Sequence, residues 1–194
     1  MAKVMLYKIK WALSAFFLSF FCASLKLPGY FAFPLFSKGL KRVSIGKYVR
    51  IYPHLLIETH GEGNITIEDC VSIAQNVHIT SGSNVLISKD SVILANSFIT
   101  SIDHDYKDIN LQMSKQPYLC KDTIIGRNCF IGMGVSILAG TTLGEHTIVG
   151  ANSVVRGVFP SYCVIAGAPA RVIKKYCHET KEWLSVNKSM VDSD

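Results

Sequence analysis

The sequence lacks the patterns of two common protein classes. Its six cysteines are scattered and include no Cys-x-x-Cys pair, unlike the framework of a short disulfide-rich secreted domain. Its net charge is only +6, and no stripe of basic residues alternates with aromatic ones, as in many nucleic-acid-binding proteins. We therefore expect one domain with extensions in these 194 residues, and no nucleic-acid partner.

The periods of an amphipathic helix and of an alternating strand are also missing from residues 125–155. A branched aliphatic residue instead returns every six positions, and a smaller residue follows it four positions later. A fixed period of six is typical of a parallel β-helix, whose triangular interior holds the aliphatic side chains. The pattern extends upstream and comprises fifteen positions: Ile45, Ile51, Ile57, Ile67, Ile73, Ile79, Ile87, Ile93, Ile99, Ile125, Ile131, Ile137, Leu143, Val149 and Val155.

Grouped in threes, these positions predict five triangular coils. The pattern is interrupted at residues 63–66, 85–86 and 105–124, and every interruption follows a third hexad. All three insertions would then lie at one corner of the prism, an order that a β-sandwich with short strands would not produce. The sequence thus predicts an all-β fold with a β-helix over residues 45–160. Its long corner loop, 105–124, is of a length that is usually functional in a compact protein.

Residues 1–44 lie outside the repeat and contain an uncharged, mostly apolar run at 11–25, with lysines on both sides. The run is shorter than the roughly 20 residues of a membrane-spanning helix. A signal peptide, a helix packed on the β-helix or on a neighbouring subunit, and a helix lying in the membrane surface all remain open. We favour the last, a helical segment in peripheral contact with a membrane, because lysines and aromatic residues flank the run.

The C-terminal extension, 161–194, begins after Phe159-Pro160. Its Ala-Pro-Ala segment marks the departure from the coil, since proline cannot continue a regular ladder. We expect a short helix at residues 181–186.

The hexads IGMGVS, LGEHTI and VGANSV, followed by VIAGAPARVIKK, resemble the hexapeptide-repeat acyltransferases, whose β-helix is left-handed. The resemblance covers about residues 45–176 and is greatest to the sugar O-acetyltransferases. These include galactoside, maltose, nodulation-factor, capsule and lipopolysaccharide acetyltransferases. The resemblance implies a homotrimer with active sites between neighbouring prisms, acetyl-CoA as the acyl donor, and a sugar or glycan acceptor.

His104 is the candidate catalytic base. It ends the hexad ITSIDH before the long loop, which matches the place of the family's catalytic histidine, and imidazole can take the proton of an attacking hydroxyl. Asp103, Asp105 or a backbone carbonyl could orient its ring. Adjacent side chains on an extended backbone point opposite ways, so at most one of the two aspartates is expected to reach it. The resemblance assigns the backbone N–H of Met133 to the oxyanion.

The resemblance also suggests residues for the acceptor and the cofactor. The acceptor candidates are Asn96, Tyr106, Tyr118 and Phe130. Small residues would let the pantetheine arm approach closely, and basic residues would meet the phosphates of CoA. The cofactor candidates are Gly150, Ala151, Gly167, Ala168, Arg171, Lys174 and Lys175. Corner geometry, outward packing and a solvated basic terminus are the structural alternatives.

A metal site is not expected. The γ-class carbonic anhydrases share the fold implied by the resemblance but need three zinc-binding histidines, and only His54 and His60 are closely spaced here. These observations favour a cytoplasmic O-acetyltransferase at the inner face of the membrane, acting on a sugar hydroxyl of a surface-polysaccharide or lipopolysaccharide precursor by direct transfer. The alternatives are N-acetylation of an amino sugar, acetylation of a small molecule such as an antibiotic, and a non-catalytic scaffold.

Overall fold

The computed structural model describes residues 2–186, with side chains from residue 7 onward. Three parallel sheets, which we name faces A, B and C in chain order, form a β-helix of about seven coils. Coil 1 contains β1 (Ser24–Leu25), β2 (Tyr30–Phe31) and β3 (Phe36–Lys38), and coil 2 contains β4 (Val43–Ile45), β5 (Arg50–Ile51) and β6 (Leu56–Thr59). Coil 3 contains β7 (Asn64–Ile67), β8 (Ser72–Ile73) and β9 (His78–Ser81), and coil 4 contains β10 (Asn84–Ile87), β11 (Val92–Ile93) and β12 (Phe98–Thr100).

A two-stranded antiparallel ribbon, β13 (Ile102–His104) and β14 (Tyr118–Cys120), separates coils 4 and 5. Coil 5 contains β15 (Thr123–Ile125), β16 (Phe130–Ile131) and β17 (Ser136–Ile137). Coil 6 contains β18 (Thr142–Leu143), β19 (Ile148–Val149) and β20 (Val154–Val155), and coil 7 contains β21 (Val158–Phe159) and β22 (Cys163–Gly167). Strands β23 (Ala170–Cys177) and β24 (Glu182–Ser185) then add to face B in antiparallel order. Short 3₁₀ turns occupy Leu40–Arg42 and Met113–Lys115.

The hexad pattern is confirmed. All fifteen aliphatic side chains are at most 6% exposed, and they stack in register from coil to coil, as Ile67, Ile87, Ile125 and Leu143 do on face A. Smaller residues line the rest of the interior, and their hydroxyl groups donate to backbone carbonyls; Ser153 Oγ, for example, lies 2.7 Å from the Gly150 carbonyl oxygen. The interior therefore buries few unsatisfied polar groups.

The prediction of five coils was too low, and the β-helix extends beyond residues 45–160 in both directions. Coil 1 keeps the six-residue spacing, with Leu25 and Phe31 stacked on Ile45 and Ile51. A seventh coil follows Val155, where β21 and β22 continue faces A and B. The three insertions do share one corner, between face C and the next face A. The left hand of the coil stays a prediction.

The predicted C-terminal helix is wrong. Glu182–Ser185 forms strand β24, which pairs with β23. The Trp183 ring packs edge-on against Tyr176 at 5.3 Å between centroids. A helix of six residues has too few internal hydrogen bonds to offset its nucleation cost, whereas the exposed edge of β23 offers partners to an extended segment. Residues 187–194 of the predicted extension lie outside the described residues.

The N-terminal segment forms helix α1 (Ala2–Leu18). Ala15 and Leu18 are buried against the first coils, and the Trp11 ring contacts the Tyr52 ring at 5.5 Å between centroids. The interpretation of a helix packed on the β-helix therefore holds for this side of α1. None of the helices in residues 2–186 combines the length and the hydropathy needed to cross a membrane.

Candidate active site

His104 lies on the ribbon that leaves face C after coil 4. It pairs with Tyr118 across the ribbon, and the two rings meet edge-on with 4.9 Å between centroids and an angle of 76°. The next residue, Asp105, donates its backbone N–H to the Pro117 carbonyl at 3.0 Å. His104 is thus held by strand pairing and an aromatic contact rather than by an irregular loop.

Asp103 connects the His104 backbone to coil 6. One carboxylate oxygen accepts the backbone N–H of His104 at 3.0 Å, and the other accepts Arg156 Nη2 at 2.8 Å. The hydrogen bond from the Arg156 guanidinium holds the pKa of the Asp103 carboxyl below its usual range. Among the described residues no side chain hydrogen-bonds to the His104 ring, so Asp103 fixes the backbone of the histidine and not its imidazole.

Arg156 was not predicted as a site residue. It follows strand β20 and is the only charged residue of the segment VVRGVF. An isolated charge between two aliphatic hexads was the available signal, but its partner lies 53 positions away, on the ribbon strand that leaves the coil just before the long loop.

A cleft of about 370 Å³ opens beside His104. Phe98, Ile102 and Leu138 form an apolar wall, and His104, Tyr118 and Arg156 supply polar groups. The full lining is His60, Thr80, Phe98, Thr100, Ile102, Asp103, His104, Tyr118, Leu138, Ala139 and Arg156. A small, mostly apolar space with a few convergent polar groups is typical of a substrate pocket.

A larger cavity, of about 620 Å³, lies along face A near Lys26 and Glu68. No histidine lines it, so it lacks the side chain that most often serves as the general base in acyl transfer. The smaller cleft at His104 is therefore the better candidate.

Glu58 binds two further histidines at the edge of the cleft. Its two carboxylate oxygens lie 3.2 Å from His60 Nε2 and 3.0 Å from His78 Nε2. Lys38 Nζ lies 3.4 Å from His60 Nδ1; since an ammonium group only donates, Nδ1 accepts and Nε2 donates to Glu58. Both nitrogens of His60 are occupied, so it is not a second base. Glu58 and His78 lie on neighbouring strands of face C, so the stacking of one coil on the next was the available signal for this cluster.

Asn96 and Met133 lie at the other end of face C, at the corner where the chain turns from face B. Asn96 has φ 61° and accepts the side-chain amide of Asn76 at 3.2 Å, so it belongs to a ladder of corner residues. The Met133 carbonyl accepts the backbone N–H of Asn152 at 2.8 Å. Neither residue lines the cleft beside His104.

Only one of the three aromatic acceptor candidates lines the cleft. Tyr118 lines the cleft, whereas Tyr106 is exposed in the loop and does not. Phe130 points outward from face B between Val92 and Ile148. The structure therefore places one of these three aromatic residues beside His104.

The small cofactor candidates gather at the corner between faces B and C in the last coils. A Cβ atom at Gly150 would lie 2.9 Å from the Ala166 Cβ, and one at Gly132 would lie 2.7 Å from the Ala151 nitrogen. Gly167 has φ 108° and donates its N–H to Ser153 Oγ at 3.1 Å, and Ala168 follows it in the turn. Coil packing thus accounts for glycine at this corner, and the role of these residues in cofactor binding stays a prediction.

The basic cofactor candidates lie on β23, which begins at this corner; Arg171 is close to the corner, whereas Lys174 and Lys175 lie beside the start of β22. Arg171 pairs with Ala166, Lys174 with Val164 and Lys175 with Cys163, and all three are exposed. Residues 2–186 contain no cluster of three or more histidine, cysteine, aspartate or glutamate side chains that could hold a metal ion.

A β-helix of hexapeptide coils with a ribbon-borne histidine beside a small cleft defines a transferase of the hexapeptide type. Residues 122–157 match the family of bacterial transferases with six hexapeptide repeats. The chain is 35% identical to the putative lipopolysaccharide biosynthesis O-acetyl transferase WbbJ of Escherichia coli K12, over 78% of this chain and 81% of that protein. It is 30% identical to an Escherichia coli dTDP-4-amino-4,6-dideoxy-D-glucose acyltransferase, over 80% of this chain and 83% of that one.

Among solved structures, the fold is similar to that of AntD, an N-acyltransferase from Bacillus cereus in complex with dTDP and 3-hydroxybutyryl-CoA. The TM-score is 0.72 at 18% identity, over 86% of this chain and 90% of AntD. The chain belongs to the hexapeptide-repeat acyltransferases, and the family predicted from the hexads is confirmed.

Proposed function

We propose that the protein is an acetyl-CoA-dependent O-acetyltransferase that modifies a sugar hydroxyl of a surface-polysaccharide or lipopolysaccharide precursor. The observation that carries the proposal is the position of His104, whose imidazole faces a cleft with an apolar wall and makes no hydrogen bond within the described residues. The likeness to an O-acetyl transferase of lipopolysaccharide biosynthesis supports the acceptor class. Because acetyl-CoA is a cytosolic donor, the reaction belongs in the cytoplasm.

In the proposed reaction, His104 takes the proton of the acceptor hydroxyl while the hydroxyl oxygen attacks the thioester carbon of acetyl-CoA. The tetrahedral intermediate then breaks its carbon–sulfur bond, and the CoA thiolate leaves with the proton that His104 returns. The products are the acetyl ester and free CoA, and no covalent enzyme intermediate forms. A base of this kind contributes ~10² to 10⁴ in rate.

The proposed oxyanion donor and cofactor residues require a second subunit. Met133, Gly150, Ala151 and Gly167 lie at the corner between faces B and C, at the opposite end of face C from the ribbon that carries His104, and β23 runs from that corner across face B. In a homotrimer, a neighbouring prism would bring its corner between faces B and C to the ribbon of the first. The thioester carbonyl would then meet the Met133 N–H of the adjacent subunit, and β23 would meet the CoA phosphates.

N-acylation of an amino sugar is the second candidate. Two of the similar proteins carry names of this activity, an acyltransferase of a dTDP-4-amino sugar and the N-acyltransferase AntD. The same base could take a proton from an attacking amine, so the cleft itself is compatible with both acceptors.

The test incubates purified protein with acetyl-CoA and matched acceptors, a sugar nucleotide with a free hydroxyl and its amino counterpart, and follows released thiol. Treating the product with hydroxylamine distinguishes the outcomes, because it cleaves an ester and leaves an amide intact. We expect an ester. His104→Gln should lower kcat at least about a hundredfold.

His54→Gln is the matched control, since His54 is a corner histidine bonded to Asn76 and lies outside the cleft. It should retain most of the activity. An amide product would replace the proposal by the second candidate. Activity that survives His104→Gln would exclude His104 as the base, and a protein that does not bind acetyl-CoA would exclude the donor and favour a scaffold.

A further inference from the structure

Helix α1 is apolar on two opposite sides. One side, with Trp11, Ala15 and Leu18, packs on the first coils. The opposite side carries Leu13 and Phe16, each more than half exposed. A helix that is apolar all round is normally buried, yet no described residue covers this side.

The exposed side continues onto coil 1. The Phe17 ring lies 5.1 Å from the Phe21 ring and 5.9 Å from the Phe33 ring, which belongs to the segment between β2 and β3. We name the resulting patch the aromatic surface, with the members Leu13, Phe16, Phe17, Phe20, Phe33 and Leu35, each more than half exposed. Contiguous apolar patches of this kind mark interaction sites.

The charge around the aromatic surface has one sign. Residues 1–57 contain nine lysines and arginines and no aspartate or glutamate, whereas the rest of the chain has fourteen acidic and eleven basic residues. Lys8 and Lys10 are exposed on α1 itself, and Lys26 and Lys38 belong to coil 1.

The apolar surface and the positive charge around it together distinguish a lipid bilayer from a second copy of the chain as the binding partner. A second copy docked through the same surface would bring two copies of Lys8 and Lys10 together with no acidic residue of 1–57 to offset them, which opposes association. An anionic bilayer satisfies both features, since aromatic side chains settle at the boundary of headgroups and acyl chains while lysines meet the phosphates.

We propose that the aromatic surface docks on an anionic phospholipid bilayer, with α1 lying in the plane of the interface. The inference is independent of the proposed activity, because a non-catalytic protein with this surface would bind in the same way. If the acceptor is attached to a lipid, docking also brings the enzyme to the surface where that acceptor is concentrated.

The experiment sediments the full-length protein with vesicles of phosphatidylcholine, alone or with about a quarter phosphatidylglycerol, a composition that creates a negative surface potential. We expect binding to the anionic vesicles that weakens as salt is added. Phe16→Gln with Phe20→Gln should lower the partition coefficient at least about tenfold. Lys8→Gln with Lys10→Gln should lower it by roughly fivefold for each lysine, on anionic vesicles only.

Ile109→Gln with Val158→Gln is the matched control. Both residues are even more exposed but lie on the corner loop and the last coil, so binding should not change. Binding to neither vesicle, or equal binding by the aromatic and control variants, would overturn the proposal. It would equally fail if the wild type self-associates without binding lipid and the aromatic variant stays monodisperse, because the occupant would then be a second copy. If the aromatic variant does not fold, the lysine variant and the salt series decide.

Discussion

Arg156 ties the ribbon that carries His104 to the body of the β-helix through Asp103. The ion pair is exposed, with side-chain exposures of 57% and 36%, and such pairs add little stability. Its importance is geometric, because the same carboxylate holds the backbone N–H of His104. A base must lie within hydrogen-bond reach of the proton it abstracts, and a shift of about 1 Å can cost up to 10²-fold in rate.

We therefore predict that Arg156→Ala lowers kcat of the proposed transfer about tenfold, while KM for acetyl-CoA changes little, because the His104 backbone loses its anchor. Arg156→Lys should restore most of kcat, since its ammonium can still reach Asp103. Steady-state kinetics with both substrates varied would measure this. A rise in KM with unchanged kcat would show instead that Arg156 binds substrate.

His104 could be predicted as the base because it ends a hexad just before the long loop, the place that the resemblance gives to the family's catalytic histidine. It could not identify Arg156, since the pairing of Asp103 with a residue in coil 6 depends on how the insertion folds back. The orientation of Asp103 was open for the same reason: both aspartates beside His104 had a plausible route to the ring, and the structure uses Asp103 for the backbone instead.

The ribbon is fixed at its base by Ser101, which is fully buried. Its hydroxyl oxygen accepts the backbone N–H groups of Gly82 at 3.0 Å and Ser83 at 3.1 Å. Its carbonyl accepts the N–H of Lys121 at 2.9 Å, where the chain returns from the ribbon. One serine thus joins the short insertion before coil 4 to both ends of the long one.

Ser101→Ala should destabilise the protein by about 1–3 kcal/mol, because the two N–H groups of Gly82 and Ser83 lose their acceptor. Urea unfolding at one fixed protein concentration measures the change, since oligomerisation would otherwise alter the apparent stability. Ser88→Ala is the control: its hydroxyl has no hydrogen bond among the described residues, and we expect a change within about 0.5 kcal/mol. Equal effects of the two substitutions would contradict this role for Ser101.

The position of the long insertion could be predicted, but its internal structure could not. Three interruptions after third hexads require a common corner, and that inference needs only counting. The pairing of His104 with Tyr118, by contrast, is set by contacts inside the insertion, which no repeat specifies. The expected C-terminal helix failed similarly, because residues 182–185 gain more from the free edge of β23 than from a single helical turn.

At both ends of the prism the hexad pattern fades for identifiable reasons. Coil 1 keeps the spacing at Leu25, Phe31 and Ser37, but only Leu25 has the branched aliphatic side chain of the other coils. Before coil 7 the corner is shorter: Phe159 follows its partner Leu143 by sixteen positions instead of the eighteen between Ile125 and Leu143. The central coils were therefore predictable, and the terminal ones were visible only from strand pairing.

The separation of His104 from the corner between faces B and C leads to a prediction about the assembly. His104→Gln should remove the proposed base. Ala151→Trp should block the expected path of the pantetheine arm without disturbing the core, because Ala151 is exposed. Each variant alone should be nearly inactive. Suppose that each site of a trimer combines His104 of one subunit with Ala151 of the next. In trimers refolded from an equal mixture of the two variants, a site is complete only where an intact His104 meets an intact Ala151. About a quarter of the sites meet this condition, so the mixture should recover about a quarter of wild-type activity. Complementation measured by thiol release would establish the shared site, whereas a mixture as inactive as its parents, in trimers verified to be mixed, would place the whole reaction within one chain.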